Sequence, residues 1–337
     1  MAIHGHPLGP LNNISMIAPE ITTKLSTFAQ DVQKGLCSQP KSLQSKYFYD
    51  AEGDRLFQKI MDLPEYYLTR CEEEILQTHA VDLAALLKNQ HFDLVELGAG
   101  DGLKTRILLA HFQEEQLQYR YFPVDISRNI LDHLEETLQQ QWPDLSVFPL
   151  EGEYFSALKK MPASEAKVRK VVLFLGSTIG NMTLADAESF LQQLRAQLAP
   201  GDLILVGFDL KKNPELILAA YNDSAKVTRD FNLNLLHRIN RELGGNFQPE
   251  NFQHWPLYQP ITGHTKSYLI SKIDQEVYLE ALHLTVKFAA WEAIDMELSK
   301  KYDFPEIEHL ATLAGLKVLT YFKDRKEYFT DALFEVE

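Results

Sequence analysis

A short glycine-rich stretch carries the first chemical signal in the chain. Glu96-Leu97-Gly98-Ala99-Gly100-Asp101-Gly102 follows the apolar run FDLVEL at 92–97 and precedes a helical pattern from Lys104 to Phe112. Gly98 and Gly100 remove side chains, so a ligand can approach the backbone closely. A dinucleotide fingerprint needs a third glycine at position 103, and Leu103 stands there, which argues against NAD. Asp125 ends a second apolar run, Tyr119 to Val124, and its forked acceptors suit two ribose hydroxyls. The competing role for Asp125 is a helix N-cap ahead of Ile126. A second signal is aromatic: Tyr47, Phe48, Tyr49, Tyr66 and Tyr67 crowd residues 46–76. Taken alone, that density reads as a packing layer between a helical cap and a sheet.

The elements that would position these residues alternate regularly. The glycine loop joins a strand at 92–97 to a helix, and the run at 119–124 is followed by a helical pattern from Ser127 to Gln141. Further strands are expected at 145–150, at 170–175 (KVVLFL, apolar as a strand buried on both faces should be) and at 202–208, with a helix from Thr183 to Leu198. This rhythm predicts an α/β fold with a mostly parallel sheet and helices on both faces. Two regions break it. Residues 1–75 read as helical and aromatic. Residues 211–301 begin with helices at about 213–222 and 225–243, then change to period-2 alternation at 267–273 and 277–288. These two regions are expected to form one discontinuous substrate-binding domain, 1–75 with 211–301. The nucleotide-side domain takes 76–210 and 302–337, with a helix at 304–315 and strands at 316–322 and 329–336.

Composition bounds the function. The 337 residues hold 33 Lys and Arg against 47 Asp and Glu, a formal charge of −14, and 45% are hydrophobic. Such acidity disfavours nucleic acid and anionic membranes as partners. Two cysteines, Cys37 and Cys71, make neither a metal cluster nor a disulfide framework, which fits a reducing cytoplasm. The N-terminus lacks a basic segment followed by an apolar run, so no secretory signal is read there, and no apolar run is long enough to span a bilayer. His4 and His6, in a Gly/Pro-rich start, read as a loose end rather than a metal site. No metal and no macromolecular partner are expected, and the chain is expected to work as a monomer.

Glu-x-Gly-x-Gly without the third glycine resembles the first motif of Rossmann-like class I methyltransferases. More specifically, the chain resembles the histidine-specific Nα-methyltransferases of ergothioneine biosynthesis. The matching pieces run in order from about residue 40: FYD, LPEYY, VELGAGDGLKT, FPVDIS, FLGSTIGNM, AAYND, FNLNLLHRINREL and MELSKKY. The resemblance implies S-adenosylmethionine as cofactor and a small amino acid as substrate. It places Gly98, Lys104, Asp125, Glu153, Tyr154 and Gly176 at the cofactor, with Glu153-Tyr154 standing where the family has Asp-Phe. It assigns Asn181, Tyr66 and Tyr221 to the amino-acid head group, Tyr49 beside the amine, and Phe57 and Thr228 to the pocket wall. Glu297 and Ser299 would bind the imidazole, and their i, i+2 spacing puts both on one face if the segment is extended. Without the resemblance, Glu297 reads as an exposed charge beside Lys300 and Lys301. Two departures stand out: the family has methionine at Ser267 and glycine at Lys226.

The implied reaction is in-line attack of an amine on a sulfonium methyl, carried three times to a betaine. It depends on positioning and desolvation rather than a metal, with Tyr49 and Asn181 orienting the amine. The same chemistry on a different amino acid or amine, or a reaction that stops at one methyl, is kept open by Ser267. A non-catalytic ligand-binding relic is disfavoured, because binding alone has no need of Tyr49, Asn181, Glu297 and Ser299 together.

Overall fold

The first strand of the large sheet to emerge from the chain, His91–Leu97, lies at its middle. In the computed structural model, which describes residues 25–162 and 168–337, it pairs in parallel with Gln118–Asp125 on one side and Arg169–Phe174 on the other. His4 and His6 lie outside the described residues. Leu203–Asp209 extends the sheet in parallel beyond Arg169–Phe174. The last two strands, Phe329–Val336 and Leu316–Lys323, close that edge antiparallel. Strand order therefore reverses between His91–Leu97 and Arg169–Phe174, and a crevice opens beyond their carboxyl ends. The glycine loop and Leu175-Gly176 sit at that crevice.

The α/β expectation holds, including the fully buried central strands: Val171, Val172, Leu173 and Phe174 have no exposed surface. One strand differs from expectation. Residues 145–150 do not form a continuous strand but two short pieces, Ser146–Val147 and Leu150–Glu151, both on Gln118–Asp125. Pro149 stands between them and has no N–H to donate to a ladder.

The N-terminal segment and the insertion after Leu203–Asp209 build a second layer. Ala293–Lys300 is flanked by Lys41–Ser42 in parallel and by His264–Ser271 antiparallel, and Phe252–Gln259 forms the far edge. The alternation at 277–288 is not one strand but a hairpin, Gln275–Leu279 with Leu284–Phe288, turning at His283 with φ 46°. Phe28, Val32, Phe48, Leu56 and Ile60 share one buried core with Phe231, Leu235, Ile239, Ile294 and Met296. Helix Leu68–Leu87 runs unbroken through the expected boundary at 75/76, and its buried face packs into the core of the large sheet. Gly180 lies in the short turn Thr178–Asn181, and a Cβ there would come within 2.9 Å of the Lys300 carbonyl oxygen. Its missing side chain lets the turn that carries Asn181 seat against the end of Ala293–Lys300.

Lys226 has a structural reading that its sequence context lacked. It precedes helix Val227–Leu243 with φ 63° and ψ 21°, in the left-handed region where only glycine is free of a steric cost. Asp223, not Lys226, caps that helix: its two carboxylate oxygens accept from the Val227 and Thr228 N–H groups at 2.8 Å each. Lys226→Gly is expected to raise the free energy of unfolding by up to about 1 kcal/mol, the relieved strain outweighing glycine's unfolded-state entropy. Urea denaturation of both proteins measures it, and an unchanged or lower midpoint would show that Lys226 carries no net strain.

Candidate active site

The cofactor side of the crevice is shaped by what the glycines leave out. Gly98 and Gly176 have φ of 75° and 77°. A Cβ on Gly98 would lie 3.2 Å from the Tyr154 hydroxyl, and one on Gly176 would lie 3.2 Å from Lys104 Nζ. Asp125 is not a helix cap, because Ser127 caps Arg128–Gln141. Instead its Oδ2 accepts from the Gly100 N–H at 3.2 Å and its Oδ1 from the Ser127 N–H at 2.9 Å. The carboxylate is thereby fixed against the glycine loop with lone pairs left over. Tyr154 packs edge-on to Phe174 and Phe190, while Glu153 is exposed at the start of helix Tyr154–Leu158.

Behind the loop lies a charge cluster that the sequence reading did not identify. Glu72 is 1% exposed. It binds Lys104 Nζ, and its Oε1 accepts from the Gly176 N–H at 2.6 Å. Burial works to lower the pKa of the Lys104 ammonium, but the adjoining Glu72 carboxylate outweighs it and raises the pKa, so Lys104 stays charged. Asp331 sits behind the pair with neither oxygen bonded among the described residues. Burial, then the Glu72 charge, push its pKa well above the ordinary carboxyl range. Glu72 had a legible signal: it falls on the apolar stripe Leu68, Cys71, Ile75, Leu76 of its helix, although the run Glu72-Glu73-Glu74 reads as a solvated face.

The crevice continues into a cavity of about 600 Å³. Its wall includes Gly98, Lys104 and Gly176 as well as Tyr49, Phe57, Tyr66, Asn181, Tyr221, Thr228, Glu297 and Ser299, beside further residues such as Asp54 and His133. Asp125, Glu153, Tyr154 and Ser267 are not among the lining residues: Asp125 and Tyr154 border the glycine loop, Glu153 precedes helix Tyr154–Leu158, and Ser267 stands on the strand next to Glu297. Tyr49, Phe57 and Phe231 form an aromatic corner, with the Tyr49 ring 5.5 Å from each of the other two and edge-on to both. Phe231 went unrecognised in the sequence because its helix buries apolar residues along most of its length. Tyr49 is 46% exposed, its free surface facing the cavity. Dehydration, then the charge of Glu297, raise its pKa, so it is a neutral phenol. The Thr228 hydroxyl is buried with no partner among the described residues.

Glu297 and Ser299 lie on strand Ala293–Lys300, so the extended geometry is present. Ser267 stands directly across the ladder from Glu297 and donates to its Oε2 at 3.1 Å. The Ser267 hydroxyl is thus a hydrogen-bond donor to the carboxylate, where the resemblance implied a methionine side chain. Burial raises the pKa of Glu297, while the Ser267 hydroxyl and the Lys301 charge work to lower it.

Lys300 and Lys301 are not a solvated charge pair; they are 3% and 0% exposed. Lys301 donates to Tyr221 Oη at 2.7 Å and to Ser299 Oγ at 2.9 Å, and pairs with Asp209 Oδ2 at 2.8 Å. Asp209 also accepts from Tyr67 and Lys212. Burial alone would raise its pKa, but the two ammonium groups lower it below the ordinary value.

The chain matches, over residues 28–336, the family described as histidine-specific, S-adenosylmethionine-dependent methyltransferases. It is 37% identical over 295 residues to the histidine N-alpha-methyltransferase of Mycolicibacterium smegmatis, a match covering 88% of this chain and 90% of that one. The protein of the same name from Mycobacterium tuberculosis is 35% identical over 295 residues, with the same coverage of 88% and 90%. Ergothioneine biosynthesis protein 1 of Neurospora crassa is 30% identical over 297 residues, which take in 86% of this chain and 32% of that longer one.

Glu96, the motif's acid, is 5% exposed and accepts from the Thr105 and Tyr121 hydroxyls. Burial pushes its pKa up to about 7, from an ordinary 4.5, against the pull of those two donors. The folded protein therefore holds this proton more tightly than the unfolded chain. That stabilisation is complete below about pH 4.5 and is lost as pH rises through about 7. Relative to the wild type, Glu96→Gln should gain roughly 3 kcal/mol of stability between pH 4 and pH 8. Denaturant titrations across that range test it, and parallel pH profiles for the two proteins would rule out a raised pKa.

Proposed function

The chain belongs to the histidine-specific, S-adenosylmethionine-dependent methyltransferases, and from that premise we propose that it methylates the α-amino group of L-histidine and carries the amine through to the trimethyl betaine. The observation that supports this most is a shared cavity: Glu297 and Ser299 line the same space as Asn181, Tyr66 and Tyr221, and that space opens onto Gly98 and Gly176. We further propose residues 76–210 with 302–337 as the cofactor unit and 1–75 with 211–301 as the substrate unit, helix Leu68–Leu87 serving both.

The residues suit the cofactor. Bare backbone at Gly98 and Gly176 leaves room that a Cβ would fill, and Asp125 offers the forked acceptors a ribose diol needs. When bound, S-adenosylmethionine supplies an activated methyl on a sulfonium, so a C–N bond forms as the C–S bond breaks. The chain's own task is to present a neutral amine in line. An ordinary α-amine has a pKa of ~8, and losing water of hydration on entering the cavity disfavours its protonated form, a penalty that a weakly hydrated quaternary ammonium escapes. Tyr49 orients the amine but is too weak a base to take its proton. Asn181 supplies both donor and acceptor, and the Tyr66 and Tyr221 hydroxyls bind a carboxylate without adding a formal charge. Glu297 Oε1, to which no protein donor is bonded among the described residues, accepts one ring N–H. As methyls accumulate, the aromatic corner of Tyr49, Phe57 and Phe231 favours a quaternary ammonium by cation–π attraction.

In calorimetric titrations with S-adenosylhomocysteine present, L-histidine should bind selectively over other amino acids, and mass spectrometry should find mono-, di- and trimethylated products. Selective binding of another amino acid would move the substrate elsewhere. Asn181→Ala should lower turnover by about a hundredfold or more while leaving cofactor-product affinity nearly intact. Loss of both would remove Asn181 from the substrate.

A further inference from the structure

The Lys301 ammonium is fully engaged, with two hydrogen bonds to hydroxyls and an ion pair to a carboxylate. Tyr221 Oη, Ser299 Oγ and Asp209 Oδ2 lie at 2.7, 2.9 and 2.8 Å, and Lys301 has no exposed surface. An ammonium donates three hydrogen bonds and accepts none. Tyr221 and Ser299 must therefore offer it lone pairs, and their own hydroxyl protons must point away from it. Among the described residues neither hydroxyl donates to a protein acceptor, and both residues line the cavity.

We propose that Lys301 is a positioning residue that fixes the cavity hydroxyls of Tyr221 and Ser299 as donors, so that the site selects a substrate ring with one N–H and one bare azole nitrogen. The inference rests on the reading of the cavity as an L-histidine site and adds its polarity. A serine hydroxyl left to itself donates or accepts with equal ease and cannot choose between tautomers or against a ring bearing two N–H groups. With Lys301 beneath it, Ser299 donates towards the ring. On the same strand Glu297, acceptor-only when ionised, takes the N–H. The two side chains then read opposite needs, and one tautomer of the neutral imidazole satisfies both. Tyr221, turned by the same ammonium, donates towards the substrate carboxylate. Asp209 keeps the ammonium charged and in place, so the polarity of the pocket is anchored in the large sheet.

The test uses the intact protein with S-adenosylhomocysteine and ¹⁵N-labelled L-histidine. In the wild-type complex the ring should give one protonated and one unprotonated nitrogen, a single tautomer, where free histidine averages two. A bound ring with both nitrogens protonated, or with averaged shifts, overturns the proposal. Histidine that does not bind at all overturns the L-histidine reading instead, and this inference with it. Affinity supplies a second readout. The pyrrolyl-alanines keep a ring N–H and replace the bare nitrogen with C–H, and the wild type should bind the better of them at least about tenfold more weakly than histidine. In Lys301→Met that preference should fall below about threefold, and the ring should lose its single tautomer while cofactor-product affinity persists. A Lys301→Met protein that keeps the preference overturns the proposal. If the variant does not fold, the wild-type spectrum alone decides.

Discussion

The carboxylate of Asp209 is the constraint on which the architecture turns. It ends strand Leu203–Asp209, has no exposed surface, and faces Lys212, Lys301 and the Tyr67 hydroxyl. Each partner comes from a different part of the chain: Tyr67 from the start of the long helix, Lys212 from the point where the chain leaves the large sheet, and Lys301 from the point where it returns. The backbone reinforces the junction, since the Tyr302 N–H donates to the Asp209 carbonyl at 2.9 Å and the Lys211 N–H to the Tyr302 carbonyl at 2.8 Å. Stripping one partner from a buried ion pair typically costs about 3–5 kcal/mol, because a charge is left uncompensated. A junction of this kind contributes less through its net attraction than through its intolerance of any other arrangement.

The two ends of the cavity follow from that junction by different physics. At the cofactor end, recognition is by absent atoms and fixed acceptors: glycines keep the floor open, while Asp125 and Glu72 are held by backbone N–H groups from the same loops. At the substrate end, hydroxyls are oriented by charges behind them. Ser267 steadies Glu297, and Lys301 steadies Ser299 and Tyr221. A polar pocket built in this way discriminates more sharply than an apolar one, because a wrong ligand leaves buried donors and acceptors unpaired.

Much of this was legible in the sequence, and the parts that were not share a cause. The strand–loop–helix rhythm around Gly98 and Asp125 follows from local periodicity, and so do the helices at 214–221 and 227–243. In strand Phe252–Gln259 the consecutive polar residues Gln253 and His254 interrupt an apolar alternation, whereas Ile294, Met296 and Leu298 do alternate with Asp295 and Glu297 in Ala293–Lys300, a signal that went unused in the sequence. Pro149 could have announced the break in the strand at 145–150. For the site, the glycine loop and Asp125 stand out by residue type, whereas Tyr49, Asn181 and Glu297 were singled out only through family resemblance. Lys301 and Asp209 had no signal at all. Their burial is created by partners 92 positions apart in the chain, and no local pattern encodes a long-range ion pair.

The shared core of the second layer also dictates an order of events during synthesis. Phe28, Val32, Phe48 and Ile60 leave the ribosome well before the residues that cover them, from Phe231 to Met296. The central sheet is in the same position, since Leu203–Asp209 must wait for Phe329–Val336, which fills the place between it and the edge strand Leu316–Lys323. Contacts this remote in sequence make folding slow and leave apolar surface open while the chain waits. The nascent segment from Phe28 to Ile60 therefore keeps its apolar face uncovered until the insertion that packs on it has been made.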